Sequence, residues 1–279
     1  MRTANVIVSA LGIAGVAVAA MFAWRWRRSP LIDTSRPAVE TSGHAAVDGL
    51  RTLAVVLSAG VIAGLLVAGL GGRLLMRILG ATSGDPAQGL LTEADEVVGD
   101  ITAGGTIAIV FFVGLFGGLL AAALYLVVRR WLPATAGPAG IVMGILLLGT
   151  IGVGDAMSPD NVDFAILRPT WLAITLIVSV ALLFGVTFTA LASRLDAGMP
   201  MLSSRPSSIA AHAALVVLLF PLAGLVAALY VAGRAGFRGR LDPLLATPWV
   251  RHTGHVVIAV AVAVTTLNSG RVIEEIVSA

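Results

Sequence analysis

A chain of 279 residues that is 58% hydrophobic and 12% charged, with a mean hydropathy of +0.98, has too little polar surface to enclose a soluble core, since soluble domains carry roughly 25% charged residues. All 18 basic residues are arginine and there is no cysteine. That excludes Schiff-base lysines and P-loop lysines, and also disulfides, thiolate nucleophiles, iron–sulfur clusters and zinc–thiolate sites. The sequence pI of about 10.5 hints at nucleic acid, but the formal net charge is only +3 and the arginines gather at the ends of apolar runs. That is the pattern of membrane-interface arginine, so no nucleic-acid partner is expected.

Seven stretches approach the roughly 20 apolar residues of a spanning helix: 3–24, 50–72, 104–128, 138–155, 170–192, 210–232 and 254–272. Six is the alternative count, because His255 and Asn268 interrupt the last. The first has one arginine before it, Arg2, and three after it, Arg25, Arg27 and Arg28. This reads as a retained anchor with its N-terminus outside rather than as a cleaved signal peptide. A polar segment rich in Pro and Ser, 29–49, follows as a cytoplasmic linker.

Small residues recur every four positions on several spans: Gly60, Gly64, Ala68 and Gly72; Gly114, Gly118 and Ala122; Ala181, Gly185, Thr189 and Ser193; Gly224, Ala228, Ala232 and Gly236. Such ladders let helix backbones approach within a membrane, inside one chain or between copies in an oligomer. Trp24, Trp26, Trp131, Trp171 and Trp249 fall at span ends, as belt residues do.

The connection 73–103 is the longest and the most charged. It continues the second span as a helix carrying Arg73 and Arg77 on one face, turns at Ser83, Gly84, Asp85 and Pro86, and then carries Glu93, Asp95, Glu96 and Asp100. Thr92 and Asp95 have capping-box spacing for a short helix or turn. The expectation is an external acidic loop folded over the helix end as an ordered lid, with its acids paired to Arg73 and Arg77. The run from Arg73 through Gly105, with the Gly-rich third span and its Arg129-Arg130-Trp131 end, resembles an uncharacterised family of multi-pass bacterial membrane proteins. The resemblance implies a membrane fold and carries no activity.

The next connection adds Asp155, Asp160, Asp163 and Arg168 on the same side. Beyond the sixth span, Gly233-Arg234 and Arg238 repeat the Gly-Arg-x-x-x-Arg pattern of Gly72-Arg73 and Arg77. Arg73, Arg77, Glu93, Asp95, Glu96, Asp100, Asp155, Asp163, Arg168, Arg234 and Arg238 together form the candidate outer-face polar cluster. Membrane lipids are its expected partners, with an anionic headgroup or small solute as the ligand its arginines would take. Dispersed acids without EF-hand spacing, and His252 and His255 without an HExxH motif, call for no metal and no cofactor. No catalytic set is visible.

Up to the sixth span, nine arginines lie on the inner side and four on the outer, which gives an N-out, C-in orientation. The expected fold is one all-α transmembrane bundle of about seven spans in the bacterial inner membrane. Three roles stay open: a structural, sensing or binding protein first, then a small-solute transporter or channel, then a lipid-modifying enzyme.

Overall fold

The structure, a computed structural model, describes residues 42–100, 102–199, 206–219 and 247–278. The first expected span and most of the sixth, with Pro221, Arg234 and Arg238, lie outside the described residues, as does the small-residue ladder of the sixth.

Among the described residues six long helices make up the fold, with a short helical turn at Asp163–Ile166. Helix α1 covers 42–82, with a π-helical stretch at Gly64–Leu70, and α2 is Ala103–Val128, with a π stretch at Ile109–Phe116. Helix α3 covers 136–156 and is π-helical over Leu148–Ala156; α4 is Thr170–Gly198, α5 Pro206–Leu219 and α6 Pro248–Ser278. The only β feature among the described residues is a single bridge, Leu91 to Val97. Helices α1 (from Gly49), α2, α4 and α6 are long and apolar enough to cross a membrane, and the apolar Ala136–Thr150 of α3 is shorter. The helical content follows from long runs of Leu, Val, Ile and Ala without interior proline. The exposure of large apolar side chains, such as Leu66, Leu70, Phe112, Val260 and Leu267, is what lipid-facing surfaces require.

Two glycine crossings organise the bundle. A Cβ placed on Gly60 would run into the carbonyl oxygen of Gly118, one on Gly64 into that of Gly114, and one on Gly114 would lie 3.1 Å from the carbonyl oxygen of Gly64. The α1 and α2 backbones therefore touch. The first two rungs of the ladder expected on α1 are used, but the contact continues at Gly69, whose Cβ would sit 3.0 Å from Val110 Cα. The π stretch accounts for the shift. Its i to i+5 hydrogen bonding inserts one residue per turn, so the contact step there is five residues rather than four.

The second crossing joins α3 to α4. A Cβ on Gly140 would lie 2.5 Å from Val186 Cα, and one on Gly144 2.8 Å from the Ala181 carbonyl oxygen. Thr189 Oγ1 donates across the same seam to the Ala136 carbonyl at 2.7 Å. Ala181, Gly185 and Thr189 thus serve as the expected ladder, while the matching face of α3 (Ala136, Gly140, Gly144) was not singled out from sequence. These faces are occupied within the chain.

Contacts along α6 correct its expected direction. Gly254, near its start, lies directly under the Trp131 indole; Thr265 Cβ would be 3.0 Å from a Cβ on Gly149; Ile276 packs with Leu148, Met157 and Leu172. Helix α6 therefore runs parallel to α3 and α1, from the Arg51 end of the bundle to the opposite end, where the acidic loop sits. The expected seventh span ran the other way. Arginine counting could not reveal this, because direction is settled by which side chains seat on Gly149 and Gly254. Trp131, expected as a headgroup residue, is half-buried against α6, whereas Trp249 is exposed.

Adjacent glycines on α2 test the crossing. Gly118 faces Gly60, whereas a Cβ on Gly117 would meet nothing within 4 Å. In thermal unfolding in detergent, Gly118→Ala should destabilise by about 1–3 kcal/mol, the usual range for an overpacked contact. Gly117→Ala should be neutral or stabilise by up to about 1 kcal/mol, the helix-propensity gain. Equal melting points for the two variants would mean that the crossing carries no stability.

Candidate functional site

At the far end of α1, the acidic connection is a folded cap rather than an open loop. Helix α1 stops at Thr82, where Ser83 N–H bonds to the Leu79 carbonyl at 3.0 Å, and Gly84 turns the chain with φ of +76°. Residues 89–98 form a tight hairpin: Gly89 N–H to Val98 O at 3.0 Å, Val98 N–H to Leu90 O at 2.9 Å and Thr92 N–H to Glu96 O at 2.9 Å. Buried Thr92 organises its tip, since its hydroxyl accepts from Glu96 N–H at 3.2 Å. The spacing that resembled a helix capping box thus closes a hairpin turn, with Asp95 in the left-handed region at φ 57°.

Apolar contacts seat the cap on the bundle. Ala87 and Val98 from the hairpin loop pack with Leu75 and Leu79 of α1 and with Met157, Phe164 and Leu167 of the second connection. Gln88 Nε2 donates to the Gly80 carbonyl at 2.9 Å. The Ser83 hydroxyl accepts from Arg168 N–H at 2.9 Å, which ties the two connections together.

The two carboxylates facing each other across the connections hold backbone amides. Asp163 Oδ1 accepts from Glu93 N–H at 2.9 Å, and Glu93 Oε2 accepts from Val162 N–H at 3.4 Å. Burial pushes the Asp163 carboxyl above its ordinary range; the Glu93 N–H pulls it down and the Glu93 charge pushes it up. Glu96 serves α2 instead: its Oε2 accepts from the Thr102 hydroxyl at 2.9 Å, and Thr102 Oγ1 accepts from Gly105 N–H at 2.9 Å. A carboxylate beside a helix N-terminus is favoured by the exposed N–H groups and the macrodipole.

The structure therefore brings Glu93, Glu96, Asp163 and the Arg168 backbone into one cap, with Asp95 and Asp100 exposed on it. Asp155 lies at the end of α3, where that helix enters the second connection. No ion pair among the described residues links Arg73 or Arg77 to these acids. Arg73 is half-buried with its Nη2 enclosed and without a hydrogen-bond partner, and Arg77 is exposed.

The strongest polar contact is at the opposite end and was not singled out from sequence. Arg51 of α1 and Asp196 of α4 form a buried ion pair, Nη1 to Oδ1, with side chains only 9% and 10% exposed. Arg51 Nη2 also donates to the carbonyls of Asp196 and of Met199, the latter at 3.1 Å. Arginine thus satisfies carbonyls that α4 leaves open at its C-terminus and offsets the negative end of its dipole. Buried His212 of α5, whose Nδ1 lies 2.9 Å from the Ser208 carbonyl, is at this end of the fold.

Comparisons of the chain with protein-family models, with curated proteins and with solved structures find no match.

Two expected outcomes follow from these contacts. Removing one member of a buried pair leaves a charge without its counter-ion, so Asp196→Ala should destabilise by about 3–5 kcal/mol in detergent unfolding. The apolar double variant Arg51→Met with Asp196→Leu should recover most of that loss; a double variant as unstable as Asp196→Ala would contradict the assignment.

The pH dependence of the cap rests on Asp163. Because its folded pKa is raised, its protonated form favours docking. This contribution is complete below the unfolded carboxylate range and is lost as pH rises through the folded value. Rate-corrected hydrogen exchange at Glu93 and Val162 should show more protection at pH 4 than at pH 7, and Asp163→Asn should flatten the difference. Protection that grows with pH would refute it.

Proposed function

We propose that the chain is a multi-pass protein of the cytoplasmic cell membrane, acting as a structural or binding element that presents a firmly seated acidic cap on the outer face. The observation that supports this role is the closure of the two glycine crossings. With α1 on α2 and α3 on α4 at backbone contact, neither pair can part without losing its close packing. Alternating access instead needs one bundle to rock against another. The reading as a small-solute transporter or channel draws on a different feature, the π stretches within α1, α2 and α3, since such irregularities often mark functional sites.

Sidedness is argued from the regrouped arginines. Arg51, Arg129, Arg130, Arg194 and Arg251 belong to the end where α1, α5 and α6 begin. Arg73, Arg77, Arg168 and Arg271 belong to the cap end. The positive-inside rule then favours a cytoplasmic Arg51 end and an external cap. The parallel course of α6 carries Ser278 to the outside as well, in place of the expected C-in.

Single cysteines on this cysteine-free chain test both parts. In intact cells an impermeant maleimide should label Ala94→Cys and Ser278→Cys but not Ala134→Cys. Labelling of Ala134→Cys alone would reverse the orientation, and opposite results at 94 and 278 would break the assigned direction of α6. Spin labels at Ala94→Cys and Ala134→Cys should give one narrow distance distribution. Two populations would favour the transporter.

A further inference from the structure

We propose that Arg73 and Arg77 form a binding site for the phosphate of an anionic phospholipid in the outer leaflet. The inference rests on the membrane reading above and names a ligand for one part of it.

Arg73 is 22 residues beyond Arg51 on the same helix, which at 1.5 Å per residue is roughly 33 Å, close to the hydrocarbon thickness of about 30 Å. The two arginines therefore bracket the apolar layer, and Arg73 stands at headgroup depth. Their environments differ. Arg51 has a carboxylate and two carbonyls. Arg73 makes no hydrogen bond among the described residues, and its Nη2 is enclosed by protein, as is the Nε of Arg51. Nη2 is closed to an outside ligand, so the donors open to one are the other guanidinium nitrogens of half-buried Arg73 and the exposed guanidinium of Arg77.

The nearby carboxylates do not make it. Glu93 and Asp163 each hold a backbone N–H of the opposite connection, and Glu96 holds the Thr102 hydroxyl at the start of α2. None of the described residues supplies an acceptor to Arg73 or Arg77. Beside and below the arginine pair on α1, Leu66, Leu70 and Leu74 are 55%, 51% and 59% exposed. This stripe matches an acyl chain, and Arg73 with exposed Arg77 one turn above matches the phosphate. A ligand with both parts is a phospholipid. Two positive charges with no carboxylate on them favour a headgroup of net negative charge.

The test is thermal unfolding of the purified full chain in a neutral detergent, titrated with short-chain phosphatidylglycerol, short-chain phosphatidylcholine or inorganic phosphate. Phosphatidylglycerol should raise the melting temperature of the wild type at concentrations at least tenfold lower than phosphatidylcholine, and millimolar phosphate should not replace it. Arg73→Gln and Arg77→Gln should each lose at least tenfold of that apparent affinity, while Arg168→Gln on the cap keeps it. Should Arg73→Gln not fold, Arg77→Gln and Arg73→Lys decide, the lysine variant retaining weakened binding. Equal response to the two lipids, competition by free phosphate, or an unchanged response in the glutamine variants would overturn the site. Any of these results leaves the cysteine-labelling pattern intact, so failure of the lipid site is distinct from failure of the membrane orientation.

Discussion

Backbone contact between helices at glycine is the constraint from which the rest of the arrangement follows. In lipid there is no hydrophobic drive bringing helices together, so association depends on van der Waals contact and on polar groups that meet across the seam. At Gly60 with Gly118, and at Gly140 with Gly185, the surfaces in contact are peptide groups rather than side chains. Thr189 adds a hydrogen bond across the second seam. Once those two antiparallel pairs are set, the buried aromatic contact of Tyr125 with Phe188, 5.2 Å between ring centres, fills the space between α2 and α4. Helix α6 then seats over α3 because Gly149 and Gly254 leave room for Thr265 and the Trp131 indole.

The two ends of the bundle are closed by different physics. At the Arg51 end, one buried ion pair joins α1 to the end of α4, and its guanidinium also serves two helix-terminal carbonyls. Such a contact is strong only while complete, because the desolvation of each charge is offset by the other. At the cap end, an apolar cluster seats the connections on the helix ends, and their carboxylates bind N–H groups rather than arginines. Acidic side chains there satisfy the amides of turns that no regular element pairs. Repulsion between Glu93 and Asp163, one of the causes of the raised Asp163 pKa, is tolerated because each also gains a backbone donor.

How much of this was legible in the sequence depended on the range of the interaction. The apolar runs and the four-residue glycine spacing are local, and both Gly60/Gly64 and Gly114/Gly118 meet as their spacing suggests. The step from Gly64 to Gly69 was not legible, because a π stretch leaves no mark in residue spacing. Thr92 was recognised as the organiser of a short helix or turn, and it closes a hairpin turn, with Glu96 rather than Asp95 as the partner of its hydroxyl. Arg51 and Asp196 are 145 positions apart and each looks like an ordinary residue at the end of a span, so nothing local couples them. The α6 direction rests on Gly254 accepting an indole from another helix, again a long-range match.

The distribution of charge follows from these separations. Carboxylates of the cap are taken up by backbone amides, while Arg73 and Arg77 sit on α1 without an ion pair to them among the described residues. If those acids neutralised the arginines directly, the cap would be a closed electrostatic unit with no claim on the membrane. Because Glu93, Asp163 and Glu96 are committed to backbone and hydroxyl donors, the positive layer is left to attract what surrounds the helix. An acidic cap near an anionic leaflet is repelled at distances within the Debye length of about 8 Å in physiological salt. An arginine layer between cap and lipid offsets that repulsion where it is greatest. At the proposed lipid site the same two residues would hold headgroups against α1 and let an acidic cap rest close to the membrane surface.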